Sequence, residues 1–560
     1  MDKDIFLDQF GHLAQGPDGV KKLRDLILQL AVQGKLVEQD PNDEPASALL
    51  GQIEDVKKRL EDEGKIRKKG GIATTAIKER FPIPNSWAWS QLGTIGRVVG
   101  GGTPKKIHSE YFSDNGIPWL TPADLYGLKG KYISKGKTDV SELGLQKSSA
   151  QMMPKGSVLF SSRAPIGYVA IAENDLSTNQ GFKSCVPYLI ETSEYIYRYL
   201  QSSIAYIEGL ASGTTFLEVS GKVVSSVPIP LPPLAEQKRI VGKVDELMAL
   251  CDELEAAQTT HVSLKHDCVA STLHHLTEAT EKQDIKTNWS IAEGNFNDWF
   301  DDLETVKNLR ATILQLAVQG KLVEQDPSEE PASALLEQLW ADAGNKRKSE
   351  INLTSQIWNI PACWEWTNLE NLTNRRFKIS YGVLVPGPDT ANGVPFVRLQ
   401  DLHTTSPSQQ PSKTIAHDVE SKYERTRLCG GEILLGVVGS IGKLGIVPES
   451  WIGANIARAV ARIMPSERIS SRYLLLALQS PYLQSRFIDA TRTLAQPTLN
   501  IGLVKESAVP LPPLAEQKRI VAKVDELMTL CDQLEEQIMA SEKLNQDLMA
   551  SLVHHMTAAA

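Results

Sequence analysis

Cysteine is scarce in this chain: six residues in 560, at Cys185, Cys251, Cys268, Cys363, Cys429 and Cys531. None lies in a Cys-x-x-Cys pair, which excludes a zinc knuckle and a disulfide framework and leaves reduced, packed thiols. No apolar run approaches the roughly 18 residues of a membrane span. The opening MDKDIFLDQF lacks the basic and apolar regions of a signal peptide, so a cytoplasmic protein without membrane contact is expected. Catalytic apparatus is missing too. Gln33-Gly34-Lys35-Leu36 lacks the upstream glycine and the hydroxyl residue of a phosphate-binding loop, and no His-Glu-x-x-His occurs. No Asn-Pro-Pro-aromatic tetrapeptide is present, the element with which an adenine methyltransferase grips a flipped base. No metal ligand set is expected, because the adjacent pairs His274-His275 and His554-His555 cannot share a helix face. A net charge of −9, taken alone, disfavours a nucleic-acid partner.

What the chain has is duplication. Ile27 to Pro41 recurs unchanged as Ile313 to Pro327, and Pro230 to Glu255 recurs as Pro510 to Glu535 with three substitutions, at Gly242/Ala522, Ala249/Thr529 and Glu253/Gln533. The copies stand 286 and 280 residues apart. That is far beyond the 20 to 50 residues of a solenoid repeat, so each copy is a half-molecule and approximate two-fold symmetry follows. Between the copies lie two stretches, Phe81 to Val227 and Ile357 to Val509, that match only in outline. Constant frames thus surround variable inserts, a design suited to a target with two half-sites.

The frames read as helices. Leu23, Leu26, Ile27, Leu30 and Ala31 sit at helical spacing over Val20 to Gln33, with Gly34 where a C-terminal cap belongs. A second helix is expected from Pro45 through Leu49, Ile53, Val56 and Leu60, followed by a basic linker at Lys65 to Gly71. Asn308 to Ala343 repeats the plan with Pro331, ending in the basic break Lys346 to Lys348. After each Pro-Pro, the residues Val244, Leu247, Cys251 and Leu254, and Val524, Leu527, Cys531, Leu534 and Ile538, take heptad a/d spacing, which predicts coiled-coil helices. About 25 helical residues would span roughly 37 Å, close to the one-turn separation of about 34 Å between half-sites on DNA.

Charge is divided between frame and insert. Pro82 to Pro230 carries 13 Lys/Arg against 11 Asp/Glu and Ile360 to Pro510 carries 16 against 12, while Leu231 to Glu281 and Leu511 to Ala560 hold 4 each against 9 and 8. The inserts mix short apolar strands with Gly/Pro turns and end in helical stretches near Tyr195 to Glu208 and Tyr473 to Ile488, which reads as two α/β domains. Their Trp pairs, Trp87/Trp89 and Trp364/Trp366, are read as core. Candidate DNA-binding groups are Thr103, Lys105 and Lys106 in a flexible glycine-rich loop, and Lys129 and Lys131, with Lys135 and Lys137, as a backbone-tracking stripe; an ordinary surface loop and a solvated charge run are the alternatives. Arg163 and, in a related turn, Ser440 and Lys443 are candidate base or phosphate contacts. Asn179, Gln180 and Asn455 stand at matching places of the two inserts, where amides read adenine or bond turns; Arg398, Gln400 and Gln496 join them.

With these residues in view, the chain resembles the specificity (S) subunit of type I restriction-modification enzymes, in the branch with an extra N-terminal conserved region. The resemblance rests on Pro-Leu-Pro-Pro-Leu-Ala-Glu-Gln-Lys-Arg-Ile-Val after each insert, Gly101 to Pro104 with Gly116 to Leu125 in the first insert, Gly393 to Leu402 in the second, and Leu-Gln-Leu-Ala-Val-Gln-Gly-Lys-Leu-Val in each frame. It implies an α+β fold: two α/β target recognition domains joined by two long conserved helices in an antiparallel coiled coil, with pseudo-two-fold internal duplication. The implied segments are 1–80 helical, 81–230 first recognition domain, 231–356 central conserved region, 357–510 second recognition domain and 511–560 C-terminal helix. It further implies a non-catalytic chain that binds double-stranded DNA, two methyltransferase (M) subunits and, through its complex with those two, the restriction (R) subunits. Cofactors belong to those partners: S-adenosylmethionine on M, ATP and Mg on R, none on this chain. The second insert has Lys378 to Gly382 in place of the Gly-Gly-Thr-Pro turn. A lone methyltransferase and a coiled-coil adaptor without a DNA role are the competing classes.

Overall fold

The computed structural model describes residues 18–66, 77–213, 217–342, 358–404, 410–491 and 498–558. By internal contacts the chain forms two units. One runs to Thr260 and includes the chain from Glu542; the other is His261–Ser541.

In the first unit, α1 (Gly19–Val32) buries the expected stripe of Leu23, Leu26, Ile27 and Leu30. It ends because Gly34 turns left-handed at φ +71°, where a Cβ would also lie 2.5 Å from Pro84 Cγ. Glycine alone both terminates the helix and admits the insert's first turn. α2 (Ala46–Asp62) follows, with Pro45 as its extended N-cap residue. Of the two basic linkers, residues from Arg67 on and all of Lys346 to Lys348 lie outside the described residues.

The first insert opens with β1 (Ala88–Gln91), β2 (Gly96–Gly100) and β3 (Ile117–Leu120). It continues through β4 (Val158–Ser162), β5 (Ile166–Ala172), β6 (Leu176–Thr178) and β7 (Lys183–Pro187) to α3 (Ser193–Ser202) and β8 (Pro228–Leu231). β2, β7, β4 and β5 are adjacent in one five-stranded sheet, completed by Tyr132–Ile133. A second sheet pairs β3 with β6 in parallel. Every β4 residue is buried, which is why Val158-Leu159-Phe160 shows no polar alternation. Closing the insert, β1 pairs antiparallel with β8, placing Trp89 opposite Pro230. The prolines of β8 donate nothing; the Pro230 carbonyl accepts from the buried Tyr195 hydroxyl at 2.6 Å, which ties α3 to that strand.

α4 (Leu234–Glu278) leaves this unit and enters the second. There follow α5 (Leu303–Val318), α6 (Ala332–Ala341), β9 (Glu365–Asn368), β10 (Ser380–Tyr381), β11 (Val394–Val397), β12 (Ile433–Gly436) and β13 (Leu444–Ile446). Next come β14 (Asn455–Ile456), β15 (Val460–Ile463), α7 (Ser471–Gln479), β16 (Ala508–Leu511) and α8 (Leu514–Ala558). The sheet order is β10-β15-β12-β13, with β11 and β14 parallel in a second sheet and β9 paired with β16.

Within each unit the frame docks onto the insert through the same hydrogen bonds. Glu236 accepts from the Trp87 indole and the Gln39 amide, each at 3.0 Å; Glu516 accepts from Trp364 at 2.9 Å and Gln325 at 3.2 Å. Both carboxylates are buried, and burial holds the Glu516 pKa above its ordinary value, against the donors that stabilise its charge. Trp87 and Trp364 are thus core, as expected, each anchored by its N–H.

The long helices depart from expectation in two respects. Each is 45 residues long, so at 1.5 Å per residue each spans about 68 Å, not the 37 Å expected. Their a/d residues also do not close a seam of two long helices alone. Val244, Leu247 and Cys251 are buried against Leu23, Leu26 and Ile27 of α1, with Leu254 partly buried there. Val524 and Cys531, with Leu527 and Leu534 partly buried, share a core with Val306, Leu309 and Ile313 of α5 and with Val269, Leu273 and Leu276 of α4. The short duplicated helix fills the face that heptad spacing reserves for a partner. Within the second unit α4 runs parallel to α5, as Lys265 meets Asp302 at 2.7 Å and Lys321 donates to the Thr277 carbonyl. α5 runs antiparallel to α8, with Arg310 on Glu535 at 2.9 Å at one end and Gln325 on Glu516 at the other. There the two long helices are therefore antiparallel.

Replacing Glu516 by Ala orphans the Trp364 and Gln325 donors and is expected to cost about 1–3 kcal/mol. Because the native pKa is raised, the folded state holds the proton more tightly than the unfolded chain, and stability falls as pH rises from the ordinary carboxylate range through the raised value. E516Q should lack that decline while keeping one acceptor. Denaturation midpoints of wild type and E516Q across that pH window, giving equal slopes, would contradict this.

Candidate nucleic-acid interface

In each unit three strands end along one edge: β3, β4 and β6 in the first, β11, β12 and β14 in the second. Three backbone hydrogen bonds recur there at equivalent places. Asn179 N–H donates to Leu120 O at 2.9 Å, as Ala457 N–H does to Val397 O. Gly102 N–H donates to Thr178 O at 2.9 Å and Val383 N–H to Ile456 O at 2.8 Å. Ser162 N–H bonds Gly181 O at 2.7 Å where Val437 N–H bonds Ala459 O at 2.9 Å. These pairs set a residue-by-residue equivalence between the inserts.

The glycine-rich segment is a packed turn and not the flexible loop expected. A Cβ on Gly101 would lie 2.0 Å from Asn179 O, and one on its equivalent Gly382 would lie 1.8 Å from Ile456 O. The Trp119 indole also donates to Gly102 O at 2.9 Å. The second insert therefore keeps this turn's backbone without the Gly-Gly-Thr-Pro sequence. Close approach lets it hold Thr103 at the surface, where its hydroxyl donates to Gln180 Oε1. Lys105 and Lys106 follow, exposed and without a side-chain partner among the described residues.

Around Thr103 the structure gathers a polar cluster. Lys183 Nζ reaches Gln180 O at 3.2 Å and Glu218 at 3.3 Å, and Arg163 lies 3.8 Å from Glu218. Lys183 and Glu218 escaped the sequence reading, since nothing local marks Glu218 as the carboxylate that orients Arg163. Asn179 is a turn residue: its Oδ1 accepts the Gly181 N–H at 2.8 Å.

The lysine stripe does not form. Its only strand is Tyr132–Ile133. Lys131 is bound to Glu194 at 2.5 Å and Asp245 at 2.8 Å, which makes it a strut between insert and frame. Burial opposes its charge, yet the two carboxylates hold its pKa above the ordinary value. Lys135 stands 3.8 Å from Asp139, and Lys129 and Lys137 are exposed.

In the second unit Arg398 donates to Ser412 Oγ at 2.6 Å and lies 3.6 Å from Asp401, with Gln400 exposed beside it. Lys443 Nζ reaches Gln400 O at 3.4 Å and Ser440 is exposed in the turn between β12 and β13, so these four residues share the edge. Gln496 lies outside the described residues. Asn455 is no reader of anything external. Fully buried, it accepts from Thr426 at 2.7 Å and donates to Tyr423 O at 3.0 Å and Glu420 at 3.2 Å.

The expected matches between inserts also shift. Strand register sets Asn455 against Ser177, not Asn179, because Phe396 pairs with Asn455 as Trp119 pairs with Ser177. Lys443 is not the counterpart of Arg163; that place is held by Val438, which bridges Thr498 as Arg163 bridges Glu218. The counterpart of Gln180 is Arg458, exposed and without a side-chain partner among the described residues, a residue the sequence reading passed over. A strand alignment moved by two positions, setting Ile-Ala-Arg against Thr-Asn-Gln, was the signal that would have found it.

The sequence profile described as "Type I restriction modification DNA specificity domain" matches residues 84–263 and 378–541. The type I restriction enzyme EcoAI specificity subunit of Escherichia coli is 29% identical over 92% of this chain and 90% of its own length. The type I restriction enzyme MjaIX specificity subunit of Methanocaldococcus jannaschii is 26% identical over 84% and 93%. Among solved structures, a chain from a study of complex assembly and conformational transition of the type I R-M system superposes with a TM-score of 0.50 at 19% identity, covering 85% of this chain and 99% of that one, which shows the fold. Matching profile, relatives and fold meet on the same duplicated plan, and the chain belongs to the type I restriction modification DNA specificity domain family.

Proposed function

We propose that this chain is the non-catalytic, DNA-reading subunit of a type I restriction-modification system, binding a bipartite and asymmetric duplex site with one half read by each unit. The observation that carries the proposal is the pair of strand edges with recurring backbone hydrogen bonds and different exposed side chains, each docked on a duplicated frame. Equal frames suit two equal methyltransferase subunits, and through them restriction subunits; unequal edges suit two unequal sequences. In that assembly the adenine methylation uses S-adenosylmethionine on the methyltransferase, and ATP and Mg serve the restriction subunit. This chain supplies position: exposed Lys105, Lys106 and Lys129 hold phosphates, and polar edge residues read bases.

Exchanging residues 357–509 for another family member's second insert, in complex with the methyltransferase partner, should change one half of the methylated site only. Changes in both halves would refute the modular reading. Residues Thr259 to Leu264 of α4 are exposed, so a seven-residue insertion after Thr260, about 10 Å of helix, tests whether the long helices set the separation of the two half-sites. The spacing between half-sites should alter and both half-sequences persist, as read by sequencing methylated adenines; an unaltered spacing would show that the helices do not set it. A duplex that shifts equally with the intact chain and with an insert-deleted chain would instead favour an adaptor with no reading role.

A further inference from the structure

The equivalence of the two edges identifies which side chains are exchanged between them. Taken position by position, Thr103 is replaced by Leu384, Gln180 by Arg458, Arg163 by Val438 and Lys183 by Ala461. In the first unit the edge amide is held by a hydroxyl, and the cations Arg163 and Lys183 are engaged with Glu218. In the second unit those two cations and that hydroxyl are gone. The guanidinium of Arg458 stands at the amide's place with no partner among the described residues, while its backbone N–H is fixed on Val383 O at 3.0 Å, a bond that Gln180 does not make to Gly102 O. Leu384 beside it is 58% exposed, an apolar side chain kept at the surface where the first unit has Thr103.

We infer that Arg458 is the principal base-reading residue of the second unit and that it reads guanine at the step where Gln180 of the first unit reads adenine. The chemistry follows from the donors. A guanidinium offers two N–H groups to guanine O6 and N7, whereas a carboxamide offers one acceptor and one donor to adenine N6 and N7. Thr103, by donating to Gln180 Oε1, sets which end of the amide is acceptor and which donor. Leu384 gives no hydrogen bond, and none is needed by a group that only donates; its exposed methyls offer apolar contact to a neighbouring thymine. One backbone thus supports two base preferences by exchange of two side chains. The inference rests on the chain's being a sequence-specific DNA binder.

The test uses the full chain assembled with its methyltransferase partner and a randomised duplex DNA library, with selected sequences read out for wild type, R458A, R458Q and L384T/R458Q. Wild type should yield a two-part motif with a guanine in one half. R458A should lose preference at that one position and bind the wild-type duplex on the order of 10- to 100-fold more weakly. L384T/R458Q should gain adenine there, with R458Q alone less selective, and the other half-site should stay unchanged in all three. Arg458 is exposed and its backbone carries the local fold, so melting temperatures should match wild type. Uniform weakening on every duplex with a shallower salt dependence marks a phosphate contact and overturns the inference, as does an unchanged motif. A wild-type complex that selects no motif defeats the reading of the chain as a specificity subunit, whatever Arg458 does.

Discussion

The architecture depends on one buried carboxylate in each half, Glu236 and Glu516, and on the indole and amide donors that meet it. Three segments far apart in sequence converge there: the turn after the short frame helix, the residue that opens the insert, and the first turn of the long helix. A buried charge without those donors is expensive, so the three segments are held together or the site is not formed at all. This makes the duplicated frame a fixed mount. Arg239 on Asp43 and Arg519 on Glu329 repeat around it, as do Arg24 on Asp252 and Arg310 on Asp532, ion pairs that set the angle of helix on helix more than they add stability.

A mount of this kind permits variation elsewhere. The strand edges of the inserts carry their own backbone bonding, closed by glycines that approach carbonyls too nearly for any Cβ, and their exposed side chains bear little of the packing. Exchange of Thr, Gln and Arg for Leu, Arg and Val at the edge leaves three backbone pairings in place, at Leu120/Val397, Thr178/Ile456 and Gly181/Ala459. Asn455, buried behind the second edge, is structural for the opposite reason: its side-chain hydrogen bonds are made inside the fold.

Much of the frame is legible from residues near one another. The α1 stripe, the Gly34 stop and the Pro45 start are local signals of helix periodicity and capping, and the repeat shows that two such frames exist. Long-helix length is not legible: apolar a/d spacing fades beyond Leu254, and exposed Thr259, Thr260 and His261 give no reason to continue, yet the helix runs on to Glu278 because Val269, Leu273 and Leu276 find a core with α5. The heptad face is buried as its spacing predicts, but the short frame helix takes part in covering it, since spacing tells that a stripe is covered and not by which helix. Lys131 and Asn455 look from sequence like any basic or amide residue in a loop; Glu194, Asp245, Glu420 and Thr426, which occupy them, are distant along the chain.

The sequence by itself determined the duplication, the helical character of the frames, the separation of constant from variable segments and the family resemblance, because identity and periodicity are properties of residues in order. Which residues face outward on the recognition edge was decided only by tertiary structure. Asn455 lies within β14 and is buried, whereas Arg458 lies just past the end of that strand and is exposed, and the register of β14 is set by pairing with β11, a partner that no local pattern names.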